Sequence, residues 1–217
     1  MKIAVIGSTG RTGRLVLDEG LRRGYGLTAF TRRPAGLSGV EGLRAVIQGD
    51  GRNLQDMRQA LRGQDAVISI VSPEGRGPTT VASDAARALL AAMQEAGVRR
   101  VVSVSVYALQ GRRPWILINL VRWLLRKPYA DFARMERAIA DSGLDWTIVR
   151  PPRLTNGPAT GLVRSEAGCE DFAHGPYSIS RADLAAVLLD LAADSQHVGE
   201  ILLVSARKKP RNSAGRL

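Results

Sequence analysis

Lys2-Ile3-Ala4-Val5-Ile6-Gly7-Ser8-Thr9-Gly10-Arg11-Thr12-Gly13 is the stretch whose reading decides the fold. Ile3 to Ile6 is a short apolar run of the kind that makes a strand covered on both faces. Three glycines at intervals of three follow at once, and Arg14 to Arg23 then reads as a helix. A strand that turns through glycines into a helix N-terminus makes a phosphate site, because the first-turn N–H groups have no partner inside the helix. In that pattern Gly7 permits the tight turn, Gly10 lets backbone approach a pyrophosphate, and Gly13 lets helix and strand pack closely. The spacing is Gly-x-x-Gly-x-x-Gly rather than Gly-x-Gly-x-x-Gly. No Lys-Ser or Lys-Thr pair closes the run, which argues against a P-loop.

Working outward, the chain alternates strand and helix. Leu27–Thr31 and Arg44–Gln48 read as the second and third strands, with a helix from about Asn53 to Arg62. Ala66–Val71 is a fourth buried strand, closed by the turn residues Ser72-Pro73-Glu74-Gly75. A long alanine- and leucine-rich helix from Thr79 to Ala96 stops at Gly97, and Arg100–Ser105 is a fifth strand. Tyr129–Ser142 reads as a helix ended by Gly143, and Asp145–Arg150 as a sixth strand running into Pro151-Pro152-Arg153. Residues 155–176 read as irregular loops with a short strand near Leu162. Ser180 caps a helix to about Ala193, and Glu200–Val204 is a last strand. This alternation predicts an α/β fold with a doubly wound parallel sheet in a single domain, residues 1–205, with a small C-terminal substrate-side portion. Residues 107–128 and 153–176 are substrate-side insertions, and 206–217 a basic, disordered tail.

At 217 residues, 45% hydrophobic and 24% charged, the chain suits one such domain. No run reaches the roughly eighteen apolar residues a membrane span requires, so no transmembrane segment is expected. The start does not read as a signal peptide. The lone Cys169 excludes an internal disulfide and fits a reducing, cytoplasmic setting. With only His174 and His197 there is little material for a histidine metal site or a Ser-His-Asp triad, and no metal is expected. The net charge of +11 raises nucleic acid as a partner. Its arginines are dispersed, however, and only Arg207–Arg211 is dense, so a solvated basic surface is favoured over nucleic-acid binding.

Two positions carry more specific chemistry. About twenty residues beyond the glycines, where an acid would hold the ribose 2′-OH of NAD, stand Arg32 and Arg33. Guanidinium groups there suit a 2′-phosphate, so NADP(H) is expected in preference to NAD(H). Asp50, in Gly49-Asp50-Gly51 after the third strand, is placed to accept from an adenine amino group. The unusual segment is Pro114–Pro128. Trp115, Ile116, Leu117, Ile118, Leu120, Val121, Trp123, Leu124 and Leu125 lie in it, with Arg112, Arg113, Arg122, Arg126 and Lys127 around them. It reads as a helix packed on the body, a lid, a membrane-interface element, or a site of self-association or protein contact.

With these pieces in place the sequence resembles the atypical short-chain dehydrogenase/reductase proteins with an NAD(P)H-binding domain. Its nearest likeness is to the flavin reductase (biliverdin-IXβ reductase) and NmrA-like branch. Besides the glycine run, the likeness rests on Gly49-Asp50, Gly63–Ile68, Thr79-Thr80-Val81 through Ala96–Val102, Ser142–Pro152 and Ile179–Ala185. The resemblance implies a Rossmann-type fold over roughly residues 1–205. It assigns the pyrophosphate to the glycine loop with Thr9, Arg11 and Thr12, the 2′-phosphate to Arg32 and Arg33, and the adenine to Asp50 and Gly51. Val71 and Ser72 would line the ribose, while Ser105, Pro151, Pro152 and Arg153 would approach the nicotinamide. Members of the wider family pair a tyrosine with a lysine four residues on. Here Tyr129 is followed at that distance by Ala133, with Arg134 one residue late. Ser105, Tyr107 and Tyr129 are the candidate catalytic groups. The expected function is NADPH-dependent hydride transfer to a flavin-like or other conjugated small-molecule acceptor. The alternative is a non-catalytic NADP(H) sensor acting through a protein partner.

Overall fold

Why Ile3 to Ile6 is apolar without alternation becomes clear once helices are seen on both sides of it. The computed structural model describes residues 1–72, 77 and 79–207. Strand β1 (Lys2–Ile6) is an interior strand, third from one edge of an eight-stranded sheet. The other strands are β2 (Gly26–Thr31), β3 (Ala45–Gln48), β4 (Ala66–Ser69), β5 (Arg100–Val104), β6 (Asp145–Arg150), β8 (Val163–Ala167) and β10 (Glu200–Ala206), in the order β3-β2-β1-β4-β5-β6-β10-β8. All pairings are parallel except that of β10 with β8. Two further short strands, β7 (Arg153–Thr155) and β9 (Ser178–Ser180), pair in parallel beside the main sheet. This is the expected doubly wound Rossmann-type sheet.

Ile3 and Val5 face helices α1 (Arg11–Arg22) and α6 (Arg181–Ala193), where Val16, Leu17, Leu184 and Leu188 meet them. Ala4 and Ile6 face the opposite layer, α2 (Leu54–Leu61), α3 (Val81–Ala96) and α5 (Arg126–Ala140), through Met57, Leu89, Met93 and Met135. Period-two alternation therefore sorts one apolar run into two cores, and both are fully shielded from water. The remaining helix, α4 (Trp115–Leu124), lies beyond β5 at the carboxyl edge of the sheet.

Several boundaries differ from the sequence reading. Helix α1 begins at Arg11, because Gly10 is already its N-cap, and α5 begins at Arg126 rather than Tyr129. Strands β4 and β5 end at Ser69 and Val104, where the chain turns out towards the carboxyl edge. The short strand expected near Leu162 is β8, starting one residue later. Residues 73–75 of the expected turn, and the tail from 208 onward, lie outside the described residues.

Two of the helices, α2 and α6, begin at an N-cap side chain. Asn53 accepts from the backbone N–H of Gln55 (2.8 Å), and Ser180 accepts from that of Asp183 (2.9 Å). At helix α3 the N-cap Thr80 makes no side-chain bond; Thr79 Oγ1 accepts from the Val81 N–H (3.1 Å), and Asp131, reaching from α5 and wholly buried, accepts from the N–H groups of Ala82 (2.9 Å) and Ser83 (3.2 Å) and from Ser83 Oγ (2.6 Å). Arg134, one residue past the expected lysine position, donates to the Thr79 carbonyl and to Asp131.

Asp131→Ala removes the acceptor of three buried donors, and the expected cost is about 2–4 kcal/mol. It should appear in urea unfolding as a lower midpoint at unchanged slope. Asp183 gives a pH signature. Burial pushes its carboxyl up, but bonds from the Gly161 and Thr160 N–H groups and the Ser180 and Thr160 hydroxyls outweigh burial and hold it below the ordinary range. A depressed folded-state pKa stabilises fully above the unfolded value of about 3.9 and is lost as pH falls through the folded value. The stability gap between the wild-type chain and Asp183→Asn is expected to narrow as pH drops below about 4 in urea titrations.

Candidate active site

Gly7 has φ +87°, a left-handed conformation, and a Cβ there would stand 2.7 Å from the Ile70 carbonyl oxygen. Under the loop, a Cβ on Gly13 would stand 2.3 Å from the Gly7 carbonyl oxygen. Gly10 is different: its φ is −67°, and the nearest atom to an added Cβ is the Gly7 oxygen at 3.3 Å. Gly7 and Gly13 therefore hold the turn and pack the helix, while Gly10 presents backbone to the open side. Ser8 and Thr9 tie the loop to β2, with Ser8 Oγ donating to the Phe30 carbonyl (3.0 Å) and Thr9 Oγ1 2.9 Å from Thr31 Oγ1.

Three recesses run in line along the carboxyl edge of the sheet. The first, about 400 Å³, is lined by Gly7, Thr9, Gly10, Arg32, Arg33, Asp50, Gly51, Val71 and Ser72, with Phe30, Arg52, Val81 and Ala85 among its other walls. The second, about 440 Å³, shares Gly10, Ile70, Val71 and Ser72 with the first and adds Arg11, Thr12, Ser105, Pro151 and Pro152. The third, about 380 Å³, shares Val106, Pro151 and Pro152 with the second and adds Tyr107, Tyr129, Arg153, Ile118, Val121 and Tyr177. Shared walls set the three side by side in one row. Every candidate residue from the sequence lines it except Gly13, which lies beneath the loop.

The charged groups in the first recess are partly committed to one another. Asp50 accepts from Arg52 Nη2 at 2.5 Å, and that guanidinium holds its carboxyl down to about 2. The Asp50 N–H donates to Asp56 Oδ2 (2.9 Å), which fixes the Gly49–Gly51 turn on α2. The Thr31 hydroxyl oxygen accepts from the Arg33 N–H (3.0 Å), while the Arg33 side chain is exposed at the rim.

In the second recess Ser105 is buried, and among the described residues its Oγ has no hydrogen-bond partner. An unpaired buried hydroxyl costs free energy unless a ligand or water meets it. Its floor is fixed from behind. Buried Arg150, at the end of β6, donates Nε and Nη2 to the two carboxylate oxygens of Glu136 (2.9 and 2.5 Å) and Nη1 to Gln110. That bidentate pair anchors the chain immediately before Pro151-Pro152. Arg181, the first residue of α6, also lines this recess; burial, then neighbouring Arg11, pulls its pKa down. The sequence places Arg181 in the Ser180 helix start and in the Ile179–Ala185 stretch of the resemblance, and neither marks it as lining this recess.

The third recess holds the two tyrosines. The Tyr107 hydroxyl donates to Asp171, and its ring stacks on Phe172 with centroids 5.3 Å apart. Burial and then the Asp171 carboxylate push its pKa above the ordinary tyrosine value. Tyr129 is half-buried; burial raises its pKa and Arg122 opposes the rise. Among the described residues no group of three or more His, Cys, Asp and Glu side chains is placed to hold a metal.

The donor set fits a dinucleotide. It offers a glycine turn at a helix N-terminus, arginines at one end, an orphaned hydroxyl at the other, and apolar walls between. The sequence pattern of the NAD(P)H-binding family matches residues 7–195. The "Uncharacterized sugar epimerase YhfK" of Bacillus subtilis is 30% identical over 199 residues, covering 87% of this chain and 86% of its own. A short-chain dehydrogenase/reductase from Veillonella parvula, solved in complex with NADP, is 19% identical with a TM-score of 0.79, covering 97% and 95% of the two chains. ChuY from Escherichia coli O157:H7, described as an anaerobillin reductase, is 21% identical with a TM-score of 0.76, covering 97% and 100%. At these identities the two structures share the fold, and the match over residues 7–195 supplies the family: the chain belongs to the NAD(P)H-binding family.

Proposed function

We propose that the chain is an NADPH-dependent oxidoreductase that reduces a conjugated, flavin-like small-molecule acceptor held in the third recess. The observation that carries this reading is the order of the recesses: the two lined by the glycine turn, the arginines and Ser105 adjoin, across Val106, Pro151 and Pro152, an aromatic-walled pocket. When bound, the dinucleotide supplies hydride to the acceptor. Everything else falls to the residues of the chain.

Gly10, Thr12 and the first N–H groups of α1 hold the pyrophosphate, with Arg11 and Arg181 adding positive charge. Arg32 and Arg33 take the 2′-phosphate, which sets the preference for NADPH over NADH. Asp50 and Gly51 border the adenine, and Val71 and Ser72 the adjoining ribose. Pro151 and Pro152, kept in place by the Arg150–Glu136 pair, and Arg153 set the face against which the nicotinamide lies. Ser105 Oγ is the hydroxyl available to orient the reacting edge, since no group among the described residues engages it. Tyr129 lines the acceptor pocket as the second hydroxyl for proton delivery. Tyr107, bonded to Asp171, serves as a wall that stacks on a planar acceptor's flank. The reductase naming of ChuY is in keeping with such an acceptor.

A second reading, an NADP(H) sensor without turnover, is favoured by one observation. Ala133 occupies the position of the expected lysine, and Arg134 is engaged at the start of α3. Tight NADPH binding with no turnover on any flavin or quinone would select it.

Mixing the purified chain with NADPH or NADH and following absorbance at 340 nm with FMN, riboflavin and simple quinones tests the proposal. NADPH is expected to bind at least roughly tenfold more tightly than NADH, with Arg32→Ala/Arg33→Ala removing most of the difference. Gly10→Asp sets a Cβ 3.3 Å from the Gly7 carbonyl oxygen, a tight contact, so a modest loss of stability is expected beside a roughly hundredfold fall in NADPH affinity through charge. Ser105→Ala is expected to lower kcat by roughly a hundredfold at unchanged NADPH affinity.

A further inference from the structure

Helix α4 presents the arrangement opposite to that of a helix meant for water. At about 100° per residue, Trp115, Ile116, Asn119, Leu120, Trp123 and Leu124 share the outward half. Trp115 and Trp123 are each 70% exposed and Ile116 73%. These five large apolar side chains are most of the exposed large hydrophobics among the described residues. The arginine within the helix points the other way: Arg122 donates to the carbonyls of Ala108 (3.1 Å) and Gly111 (2.9 Å). Ile118 is buried, and Ile118 and Val121 line the third recess. The helix is thus seated by its inner face, with an outer face that carries no charge.

The charge lies at the two ends of that face. Arg112 and Arg113 precede the helix, Arg126 and Lys127 follow it, and all four are exposed. Arg112 and Arg113 reach Glu170 and Asp171 at 3.4 and 3.9 Å. No acidic residue stands between Glu95 and Asp131, and the chain as a whole carries +11. An apolar strip with tryptophans near its ends and long cationic side chains at its borders matches the depth profile of a bilayer surface: apolar face in the acyl boundary, cations among the headgroups. A symmetric contact with a second copy would instead set Arg112 and Arg113 of one chain near Arg126 and Lys127 of the other.

We propose that α4 docks the protein onto an anionic lipid surface, lying in the plane of the interface. The bilayer contact and the wall of the third recess are then two faces of one helix. Docking itself does not depend on the function proposed above, so vesicle binding is measured without cofactor or acceptor, and its failure would leave that reading standing.

The experiment is co-sedimentation and tryptophan emission of the full chain with phosphatidylcholine vesicles, with and without phosphatidylglycerol. Binding to the phosphatidylglycerol vesicles with a blue-shifted emission, and much weaker binding to phosphatidylcholine alone, is expected. Trp123→Asp should reduce partitioning by roughly tenfold or more, and Arg126→Glu/Lys127→Glu should lower binding only where phosphatidylglycerol is present. NADPH binding retained by Trp123→Asp would show that this variant is folded. The proposal is overturned if the wild-type chain ignores phosphatidylglycerol vesicles or if Trp123→Asp binds them equally well. It is also overturned if binding disappears only when the chain ends at Arg207, which assigns it to the terminal basic run. A dimer in solution that Trp123→Asp dissolves, without lipid affinity, would give the face to a second copy.

Discussion

Gly13 carries no side chain because the Gly7 carbonyl occupies the space one would fill, 2.3 Å from an added Cβ. That contact sets how closely α1 approaches the end of β1, and the rest of the site is laid out from it. With the helix so close, its first N–H groups and the backbone of Gly10 face the open carboxyl edge, and the second recess begins there. Gly7 in turn takes its positive φ where the chain passes the Ile70 carbonyl, one residue beyond β4. One backbone crossing therefore couples the central strand, its neighbour and the first helix, and a methyl group at either glycine would force them apart.

The groove depends on a second constraint, applied from below. Parallel strands deliver the loops that follow them to one edge, so residues 7–13, 32–33, 50–52, 70–72, 105–107 and 151–153 converge there despite their separation in sequence. Convergence alone does not fix a wall. The buried Arg150–Glu136 pair does so, tying the last residue of β6 to α5 just before the two prolines. Leaving either charge unpaired in that interior would be strongly destabilising, so the pair ties the rim of the groove to the stability of the core. Asp131 does the same for α3, accepting from α5 the Ala82 and Ser83 N–H groups at its start.

What was readable in the residues follows from how local each signal is. The apolar run at Ile3–Ile6, the glycines at three-residue spacing and the Ser180 cap are short-range patterns, and each appears where expected. The lining of the groove by Arg32, Arg33, Asp50, Ser105 and Pro151 was also legible, because in a parallel sheet a residue just past a strand end must lie at that edge. Arg181 escaped notice because its place depends on β9 pairing with β7, a contact between segments distant in sequence. The bond from Tyr107 to Asp171 is equally long-range: no pattern near residue 107 shows that its hydroxyl is engaged 64 positions further on.

Sequence alone determined the alternation of strands and helices, the glycine turn and hence the family, since these rest on periodicity and on backbone freedom that only glycine has. Tertiary structure decided which groups are open to a ligand. It left Ser105 Oγ without a partner among the described residues, engaged Tyr107 and Arg134 elsewhere, and turned Arg122 inward so that Trp115 and Trp123 face out. Hydrogen bonds and burial belong to pairs of segments brought together by folding, and a side chain's availability is known only once every neighbour has been placed.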